Sequence, residues 1–296
     1  MNNIFQKKDN YVHKVKCPLR ICLAGGGTDL ETYYKKYSGL VISAAINKYI
    51  TVEFKDGTKN GIYVKTVLEY FDIYEDIKIT SDLEGRSGLG SSGSLMVALV
   101  ALCAKHNKIN YEPWQIAETA YHIEHTILGQ PCGKQDHYIA AYGGIKAFHI
   151  STNGYVDVED LDLDLSRIVI FDTGVRRNSS KSLVFFDNKN MIKKLRFVHG
   201  QAAKFMSMKY DFDIDKYGKM LYDYWKVKRQ MHPEMSNVFI NNMIELGLNL
   251  GAIGGKLIGA GGGGYILFIK NDNELYNLPL NSLNFKIEER GIQYET

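Results

Sequence analysis

One segment of this sequence, residues 88–94, has the composition of a loop that binds an anion. It contains, in order, Gly88, Leu89, Gly90, Ser91, Ser92, Gly93 and Ser94, and an apolar run over residues 95–103 follows directly. Glycines let the backbone approach an anion closely, and serines are suited to cap the start of a helix. The free N–H groups of a first helical turn and the helix dipole favour a phosphate there. The pattern therefore predicts a phosphate-binding loop, with an ordinary serine-capped helix as the alternative. We refer to residues 88–94 as the first glycine loop.

A second glycine loop occupies residues 259–264, which read Gly-Ala-Gly-Gly-Gly-Gly. These residues fit the spacing of the dinucleotide fingerprint, which requires a strand before it and a helix after it. Residues 265–269 are Tyr-Ile-Leu-Phe-Ile, however, and indicate a strand. The order strand–loop–strand argues against a dinucleotide-dependent oxidoreductase. It predicts a loop that lies against a ligand or against the first glycine loop, and a flexible hairpin is the alternative.

Two carboxylates twelve residues apart, Glu124 and Asp136, suggest metal-assisted phosphoryl transfer. That reaction needs one carboxylate to hold magnesium and often a second one to accept the proton of a hydroxyl group. Gly129, Pro131 and Gly133 between the two would turn the chain back toward the preceding helix. Either residue alone would be interpreted as a surface charge, so the pairing carries the hypothesis.

Four possible zinc ligands crowd the same region, namely His122, His125, Cys132 and His137. Their spacing matches none of the usual tetrahedral ligand sets. We interpret them as packing and polar contacts, with a zinc site as the alternative.

The bulk composition of the 296 residues is that of an ordinary globular protein: 45% are hydrophobic, 23% are charged, and the formal net charge is +3. Because the sequence contains no dense basic stripe, it does not indicate a nucleic-acid partner. The four cysteines form no CxxC pair, which favours a reducing cytoplasm. The first ten residues are polar, unlike a signal peptide, and the apolar run at 95–103 is half the length of a membrane span. The sequence therefore predicts a cytoplasmic protein without a membrane partner.

Hydrophobic periodicity predicts strands and helices that alternate irregularly. The predicted strands cover residues 19–24, 40–46, 49–54, 73–80, 144–150, 167–172, 256–258 and 265–270. The predicted helices cover residues 92–105, 112–128, 181–208, 215–230 and 237–248. Because the order lacks a regular βαβ repeat, it favours an α+β fold of two lobes, with a seam near residues 151–180.

Three segments together resemble the motifs of the galactokinase–homoserine kinase–mevalonate kinase (GHMP) superfamily. Residues 16–29, Lys-Cys-Pro-Leu-Arg-Ile-Cys-Leu-Ala-Gly-Gly-Gly-Thr-Asp, are similar to its first motif, and the two glycine loops are similar to its second and third. The motif order and spacing agree along nearly the whole chain. The forms Pro-Leu-Arg, Gly-Gly-Gly-Thr-Asp-Leu and Gly-Lys-Gln-Asp look closest to D-glycero-D-manno-heptose 7-phosphate kinases, and bacterial fucokinase-type enzymes share much of the pattern.

The resemblance implies an architecture and a set of roles. It implies a ribosomal-S5-like N-terminal lobe over residues 1–165, a ferredoxin-like C-terminal lobe over residues 166–296, and ATP bound between them. Asp136 matches the catalytic aspartate, and Ser92 and Glu124 match the magnesium ligands. Arg20 matches a cation that steadies the aspartate or the transferring phosphoryl group. The substrate-binding positions are expected to be Gly26, Gly27, Thr28, Asp29, Gly261 and Gly262. Arg86, in an unusual entry to the second motif, is a further candidate for nucleotide contact.

The implied reaction is magnesium-ATP-dependent phosphorylation of the anomeric hydroxyl of a heptose 7-phosphate. The 1,7-bisphosphate would feed GDP-heptose for a surface polysaccharide. A distal phosphate needs basic partners, and we expect Arg176 and Arg177, which follow a predicted strand at the seam, to supply them. A kinase of an unphosphorylated sugar such as fucose or galactose is the close alternative. A catalytically silent sugar and ATP sensor is a second one, which the presence of Asp136 and Glu124 argues against. The sequence leaves the oligomeric state open.

Overall fold

Two sheets organise the part of the chain that the structure describes. The structure is a computed structural model that describes residues 12–56, 61–85, 87–176, 189–271, 275 and 277–295. Arg86 and Arg177 lie outside these residues. The strands are β1 (Lys14–Ala24), β2 (Gly39–Phe54), β3 (Ile77–Ser81), β4 (Ile145–Ile150), β5 (Val156–Asp160), β6 (Ile168–Asp172), β7 (Gly254–Leu257), β8 (Tyr265–Ile269), β9 (Asn281–Ser282) and β10 (Gln293–Glu295).

Helices cover these sheets. They are α1 (Glu31–Tyr37), α2 (Ile62–Tyr70), α3 (Ser91–His106), α4 (Pro113–Tyr121), α5 (Gln135–Tyr142), α6 (Lys189–Ser207), α7 (Ile214–Lys228) and α8 (Val238–Asn249). A π-helical turn, His122–Ile127, follows α4, and a 3₁₀ turn, Pro233–Met235, precedes α8. No helix within the described ranges combines the length and apolar character needed to cross a bilayer.

The larger sheet has the strand order β10-β1-β2-β4-β5, with β3 also paired to β2, and the smaller sheet has the order β7-β8-β6-β9. Their strand pairs are antiparallel among the described residues. Strands of both sheets alternate with helices irregularly, which confirms the predicted α+β class. The larger sheet takes β10 from the end of the sequence, whereas β6 to β9 of the smaller sheet all follow residue 166. The lobe boundary at residue 165 stays a prediction.

Strand β2 joins two segments that the sequence analysis separated at Asn47 and Lys48. In its pairing with β1, Pro18 lies opposite Tyr49 but Leu19 lies opposite Ile46, so these two residues form an irregularity in one continuous strand. A proline has no N–H to donate to a ladder and is tolerated where pairing is interrupted. The predicted break is therefore a bulge.

The main core lies between the larger sheet and α3. Every residue of α3 from 96 to 104 is buried, so this helix is apolar on all sides and is covered by both the sheet and neighbouring helices. A second cluster, which includes Trp225, Ile240 and Phe268, lies between the smaller sheet and the helices α7 and α8. Burial on all sides fixes the N-terminus of α3, which carries the first glycine loop.

Candidate active site

The first glycine loop leads into α3 without the serine cap that we expected. The residue at the N-cap is Gly90, whose φ of 79° is in the left-handed region, and the helix begins at Ser91. Because Gly90 has no side chain, it cannot cap the N–H groups of the first turn. The serine hydroxyls bind elsewhere: Ser94 Oγ donates to Pro18 O at 2.7 Å, and Ser92 Oγ donates to a carboxylate oxygen of Glu124. The first turn therefore keeps donors of the kind that an anion binds at a helix N-terminus.

The two glycine loops pack against each other through their backbones. A Cβ atom added at Gly259 would lie 2.7 Å from Cα of Gly88, so neither a side chain nor another ligand fits between them at this point. The second glycine loop joins β7 to β8, which is the predicted strand–loop–strand order. Of the two partners that we considered for this loop, the structure places it against the first glycine loop.

Arg20 joins the first glycine loop to Asp136. Its Nε donates to Oδ1 of Asp136 at 2.7 Å and its Nη2 donates to Oδ2 at 2.9 Å. Its Nη1 donates to Gly88 O at 2.5 Å, and its backbone N–H donates to Leu89 O at 2.9 Å. Arg20 is buried, whereas the side chain of Asp136 is 28% exposed. Oδ1 also accepts from Nε2 of Gln135 at 3.3 Å, so the second lone pair of Oδ2 is the one that can accept a proton while Arg20 holds the carboxylate in place.

Close packing between α3 and α5 keeps Asp136 beside the loop. A Cβ atom added at Gly93 would lie 2.5 Å from Cβ of Asp136. Asp136 lies in the first turn of α5, a helix that the sequence analysis did not predict. The glycine of the loop is therefore required by the approach of a second helix as well as by any approach of a phosphate.

Glu124 and Ser92 meet at the other side of the loop, as expected for a shared magnesium ion. Glu124 is buried in the π-helical turn, where Ser92 Oγ donates to Oε1 and the ring of His137 lies 2.7 Å from Oε2 through Nε2. Carboxylate and hydroxyl oxygens are the hard ligands that Mg²⁺ accepts, and this ion usually keeps further positions for water and phosphate. The donor set therefore fits magnesium, with Ser92 and Glu124 as the residues that would hold it.

The four candidate zinc ligands do not come together as one set. His122 is exposed, and Nε2 of His125 lies 2.9 Å from Oε2 of Glu31. Cys132 and His137 instead approach Glu124, and the ligand atoms of these three lie within 4.8 Å of one another. Burial, followed by the charge of Glu124, raises the pKa of the Cys132 thiol.

Asp29 ties the first motif to the start of α5. Its Oδ1 accepts from the N–H of Gly27 at 3.0 Å and its Oδ2 accepts from the N–H of Gln135 at 3.1 Å. Burial raises the pKa of Asp29, although both N–H bonds oppose that shift. A Cβ atom added at Gly133 would lie 2.0 Å from Oδ2 of Asp29, so only glycine is accommodated there. Substrate contact by Asp29 stays a prediction.

Thr28 belongs to the expected substrate-binding set, but its hydroxyl makes its contacts within the fold. Its side chain is fully buried, its Oγ1 donates to Leu40 O at 2.9 Å, and the same oxygen accepts from the N–H of Leu40 at 3.1 Å. The hydroxyl therefore fixes the start of β2, and substrate contact by Thr28 stays a prediction that this geometry does not favour. Gly26 lies differently: an added Cβ would be 3.0 Å from Cys22 Sγ and 3.9 Å from the hydroxyl of Tyr224.

Gly261 and Gly262 contact the 3₁₀ turn. The N–H of Gly262 donates to Met235 O at 2.9 Å, and a Cβ atom on Gly261 would lie at the same distance from that oxygen. Their expected contact with substrate stays a prediction.

Arg176 is already paired within its own segment. Nη1 and Nη2 donate to the two carboxylate oxygens of Asp172 at 2.7 and 2.6 Å, and Nε lies 3.4 Å from Oε2 of Glu84. A phosphate would have to compete with Asp172 for this guanidinium group. Binding of a distal phosphate by Arg176 stays a prediction that the geometry does not favour.

Two residues of this region were missed by the sequence analysis. Lys228 and Lys256 are buried, and their amines donate to Gly259 O and Leu23 O respectively. Tyr217, Leu221, Tyr224 and Lys228 recur at helical spacing along the buried face of α7. A lysine on an otherwise apolar and aromatic face was the signal that could have found Lys228.

Comparison with known proteins found a matching family model and several curated relatives. Residues 62–144 match the family model described as the GHMP kinases N terminal domain. A D-glycero-alpha-D-manno-heptose 7-phosphate kinase of Campylobacter jejuni is 27% identical over an alignment that covers 90% of this chain and 91% of the relative. A galactokinase of Pyrococcus furiosus is 25% identical and covers 84% and 86% of the two chains.

Solved structures agree with this chain along almost its whole length. A D-glycero-D-manno-heptose 1-phosphate kinase of Bacteroides thetaiotaomicron matches with a TM-score of 0.76 and 22% identity, over 96% of this chain and 98% of the other. A galactokinase of Lactococcus lactis, complexed with galactose, matches with a TM-score of 0.72 and 17% identity, over 97% and 95% of the two chains. At these identities the likeness shows the fold.

The family model covers the first glycine loop, Glu124 and Asp136, and both curated relatives extend well beyond it on each side. The prediction made from the three motifs is thereby confirmed. The chain carries a match to the GHMP kinases N terminal domain and is an ATP-dependent phosphotransferase.

Proposed function

We propose that this protein transfers the γ-phosphoryl group of ATP to the anomeric hydroxyl of D-glycero-D-manno-heptose 7-phosphate, which yields the 1,7-bisphosphate. The observation that carries the phosphoryl transfer is the position of Asp136, which Arg20 connects directly to the carbonyl of Gly88 in the first glycine loop. The choice of substrate is supported by the Campylobacter jejuni heptose 7-phosphate kinase, whose alignment covers 90% of this chain.

The residues divide the reaction between them. The N–H groups at the start of α3 bind the phosphates of ATP, and Ser92 and Glu124 hold magnesium, which when bound neutralises charge on those phosphates. Asp136 takes the proton from the anomeric hydroxyl as its oxygen attacks the γ-phosphorus. The bond from that phosphorus to the β–γ bridging oxygen breaks, and ADP leaves. Arg20 offsets the negative charge that develops.

An anomeric hydroxyl is more acidic than an ordinary alcohol, so a carboxylate base suffices. Among the described side chains, none at hydrogen-bond distance from Asp136 could accept a proton from it. Its partners there are the cation Arg20 and the amide group of Gln135, which donates. Asp136 itself is therefore the base in this proposal.

A panel of acceptors tests the proposal. ADP release would be measured with magnesium-ATP and heptose 7-phosphate, unphosphorylated heptose, fucose or galactose, and the Asp136→Asn variant prepared in parallel would report contaminating kinases. We expect kcat/KM for heptose 7-phosphate to exceed that for unphosphorylated heptose by ~100-fold, because a site built for a charged group is left unpaired by the analogue that lacks it.

Other outcomes would revise the proposal in different ways. Equal activity on the two heptoses would overturn the substrate assignment and leave a sugar kinase. A preference for galactose or fucose would favour the kinase of an unphosphorylated sugar. Binding of ATP and sugar without ADP release would favour the silent sensor.

A further inference from the structure

Two buried lysines lie behind the candidate active site, Lys228 at the end of α7 and Lys256 in β7; we call them the lysine pair. They are 7% and 2% exposed. The amine of Lys228 donates to Gly259 O, and the amine of Lys256 donates to Leu23 O at 3.0 Å. Both amines also lie over the ring of Tyr224, at 5.7 and 4.8 Å from its centroid.

Neither amine pairs with a carboxylate among the residues that the structure describes. Backbone carbonyls and an aromatic face compensate a buried ammonium only in part, and a second ammonium nearby makes the charge more costly. Burial, followed by the charge of Lys256, lowers the pKa of Lys228 to about 7. Burial also lowers the pKa of Lys256. The arrangement thus lacks the negative charge that would stabilise it.

The surroundings of the lysine pair connect it to both halves of the site. Gly259, the acceptor of Lys228, packs on Gly88 of the first glycine loop. Tyr224, which both amines contact, brings its hydroxyl to 3.9 Å from the Cβ position of Gly26, in the turn that leads to Asp29. The lysine pair therefore lies between the loop expected to hold nucleotide phosphates and the turn expected to hold the sugar.

Gln135 lies between Gly26 and the expected base Asp136. Its Oε1 lies 3.8 Å from the same Cβ position of Gly26, and its Nε2 donates to Oδ1 of Asp136 at 3.3 Å. Tyr224, Gly26 and Gln135 therefore lie in succession between the lysine pair and Asp136, so an anion bound by the amines would lie near the residues expected to react.

We propose that the lysine pair binds a phosphate group of the reactants. Two compact ammonium groups match the two negative charges of a phosphate ester better than one guanidinium that is already held by Asp172. The proposal rests on the proposed function for its two possible sources of phosphate: the 7-phosphate of the sugar, or the γ-phosphoryl group during transfer.

Titration with inorganic phosphate tests the site without reference to any sugar. Calorimetry with saturating magnesium-ADP, which fills the first glycine loop, would compare wild type with Lys228→Met and Lys256→Met. We expect each variant to bind phosphate at least about tenfold more weakly, because a charged hydrogen-bond donor is lost. Lys219→Met, on the exposed face of the same helix, is the matched control and should bind as wild type does.

Stability separates a ligand-binding role from a structural one. If the lysine pair binds an anion, its removal should not lower the melting temperature of the ligand-free protein, because a buried uncompensated charge disappears. Lys228→Gln and Lys256→Gln keep a donor for the carbonyls of Gly259 and Leu23 and remove only the charge. They provide the same test if a methionine variant folds poorly. Phosphate binding equal to wild type in both glutamine variants, or no phosphate binding by wild type, would overturn the proposal.

Kinetics then distinguish the two sources of phosphate. If the amines hold the sugar's own phosphate, kcat/KM should fall for heptose 7-phosphate and stay unchanged for unphosphorylated heptose. If they hold the transferring group, kcat should fall for both acceptors. Wild-type kinetics on both acceptors in all four variants would overturn the proposal. Failure of heptose 7-phosphate as a substrate would contradict the proposed function alone, because the phosphate titration does not depend on it.

Discussion

The buried lysines of the described residues occur in two environments, which differ in whether a carboxylate pairs with the amine. Lys134, at the start of α5, donates to Gly154 O at 2.6 Å and lies 5.2 Å from the ring centroid of Tyr121. It also pairs with Oε1 of Glu118 at 2.5 Å. The lysine pair has the same two kinds of partner, a carbonyl and an aromatic ring, but no carboxylate within the described part of the chain.

The presence or absence of a carboxylate partner therefore separates lysines that the fold itself stabilises from lysines that it leaves without a counter-charge. The ammonium of Lys134 is paired with Glu118 and the guanidinium of Arg20 with Asp136, whereas the lysine pair has no carboxylate partner among the described residues. Glu124 mirrors the lysine pair with the opposite sign. It is a buried carboxylate with Ser92 and His137 as partners and no lysine or arginine bound to it in the described ranges. Glu124 and the lysine pair both lie beside the glycine loops.

Removal of the carboxylate charge at Asp136 would make Arg20 an unmatched cation and give the largest expected effect. Asp136→Asn keeps the shape of the side chain but cannot accept the hydroxyl proton, so we expect turnover to fall by about 10²–10⁴. The melting temperature should also fall, because Arg20 is buried. ADP release and a thermal melt measure the two effects.

Asp160→Asn is the control for this change. Asp160 pairs with Lys146 but its side chain is 84% exposed, so both turnover and melting temperature should stay at wild-type values. Turnover of Asp136→Asn close to that of wild type would remove Asp136 from the mechanism.

Loss of the charge on Glu118 should leave Lys134 as a buried lysine without a carboxylate partner, like the lysine pair. Glu118→Gln retains an oxygen for Lys134 and for the Tyr138 hydroxyl, which donates to Glu118 at 2.5 Å, but it leaves the ammonium uncompensated. We expect the free energy of unfolding to fall by about 1–3 kcal/mol, with little change in turnover. Urea denaturation measures it. The double variant with Lys134→Met should recover part of the loss, and an equal or larger loss would show that the charge is not the cause.

Neutralising Glu124 tests whether its buried carboxylate holds the magnesium ion. Glu124→Gln removes the negative charge from a hard-cation site, so the magnesium concentration at half-maximal rate should rise by about tenfold. Glu31→Gln, in the first turn of α1, removes a carboxylate that pairs with Lys35 and His125 and should leave the magnesium dependence unchanged. An unchanged requirement in Glu124→Gln would place the ion elsewhere.

Local sequence patterns predicted those helices and strands whose own residues show a clear hydrophobic pattern. Helix α3 was predicted over residues 92–105 and extends from Ser91 to His106, because an uninterrupted apolar run after a glycine cluster is unambiguous. Helix α5 was missed, since the glycines and proline before it indicate a turn and its eight residues are too few to show a period. The π-helical turn at Glu124 was also missed, because nothing in the spacing of residues 112–128 separates it from the preceding α-helix.

The residues of the candidate site likewise include some that local patterns could not bring together. Arg20 and Asp136 are 116 residues apart, and only the resemblance to a known family suggested that they meet. Arg176 was chosen for its charge, without weight given to Asp172 four residues before it, which pairs with it. Lys228 and Lys256 were overlooked, because a lysine is normally a surface residue and its burial depends on tertiary packing that no local pattern records.

The pH dependence of stability should report the uncompensated charge of Lys228. The pKa of Lys228 is lowered from its usual 10.5 to about 7 by burial and by Lys256 in β7; Arg20 in β1 acts in the same direction, and Cys22 opposes it. Between these two pH values the unfolded chain keeps a proton that the folded chain has released, so this group adds to stability as the pH rises from 7 towards 10.5. The free energy of unfolding of wild type should therefore gain on that of Lys228→Met between pH 7 and pH 9, by at most about 1.4 kcal/mol per pH unit. Urea denaturation at several pH values measures the gain, and Lys219→Met, whose amine is exposed, should follow wild type. Parallel curves for wild type and Lys228→Met would mean that the Lys228 amine is compensated after all, and the contrast with Lys134 would then fail.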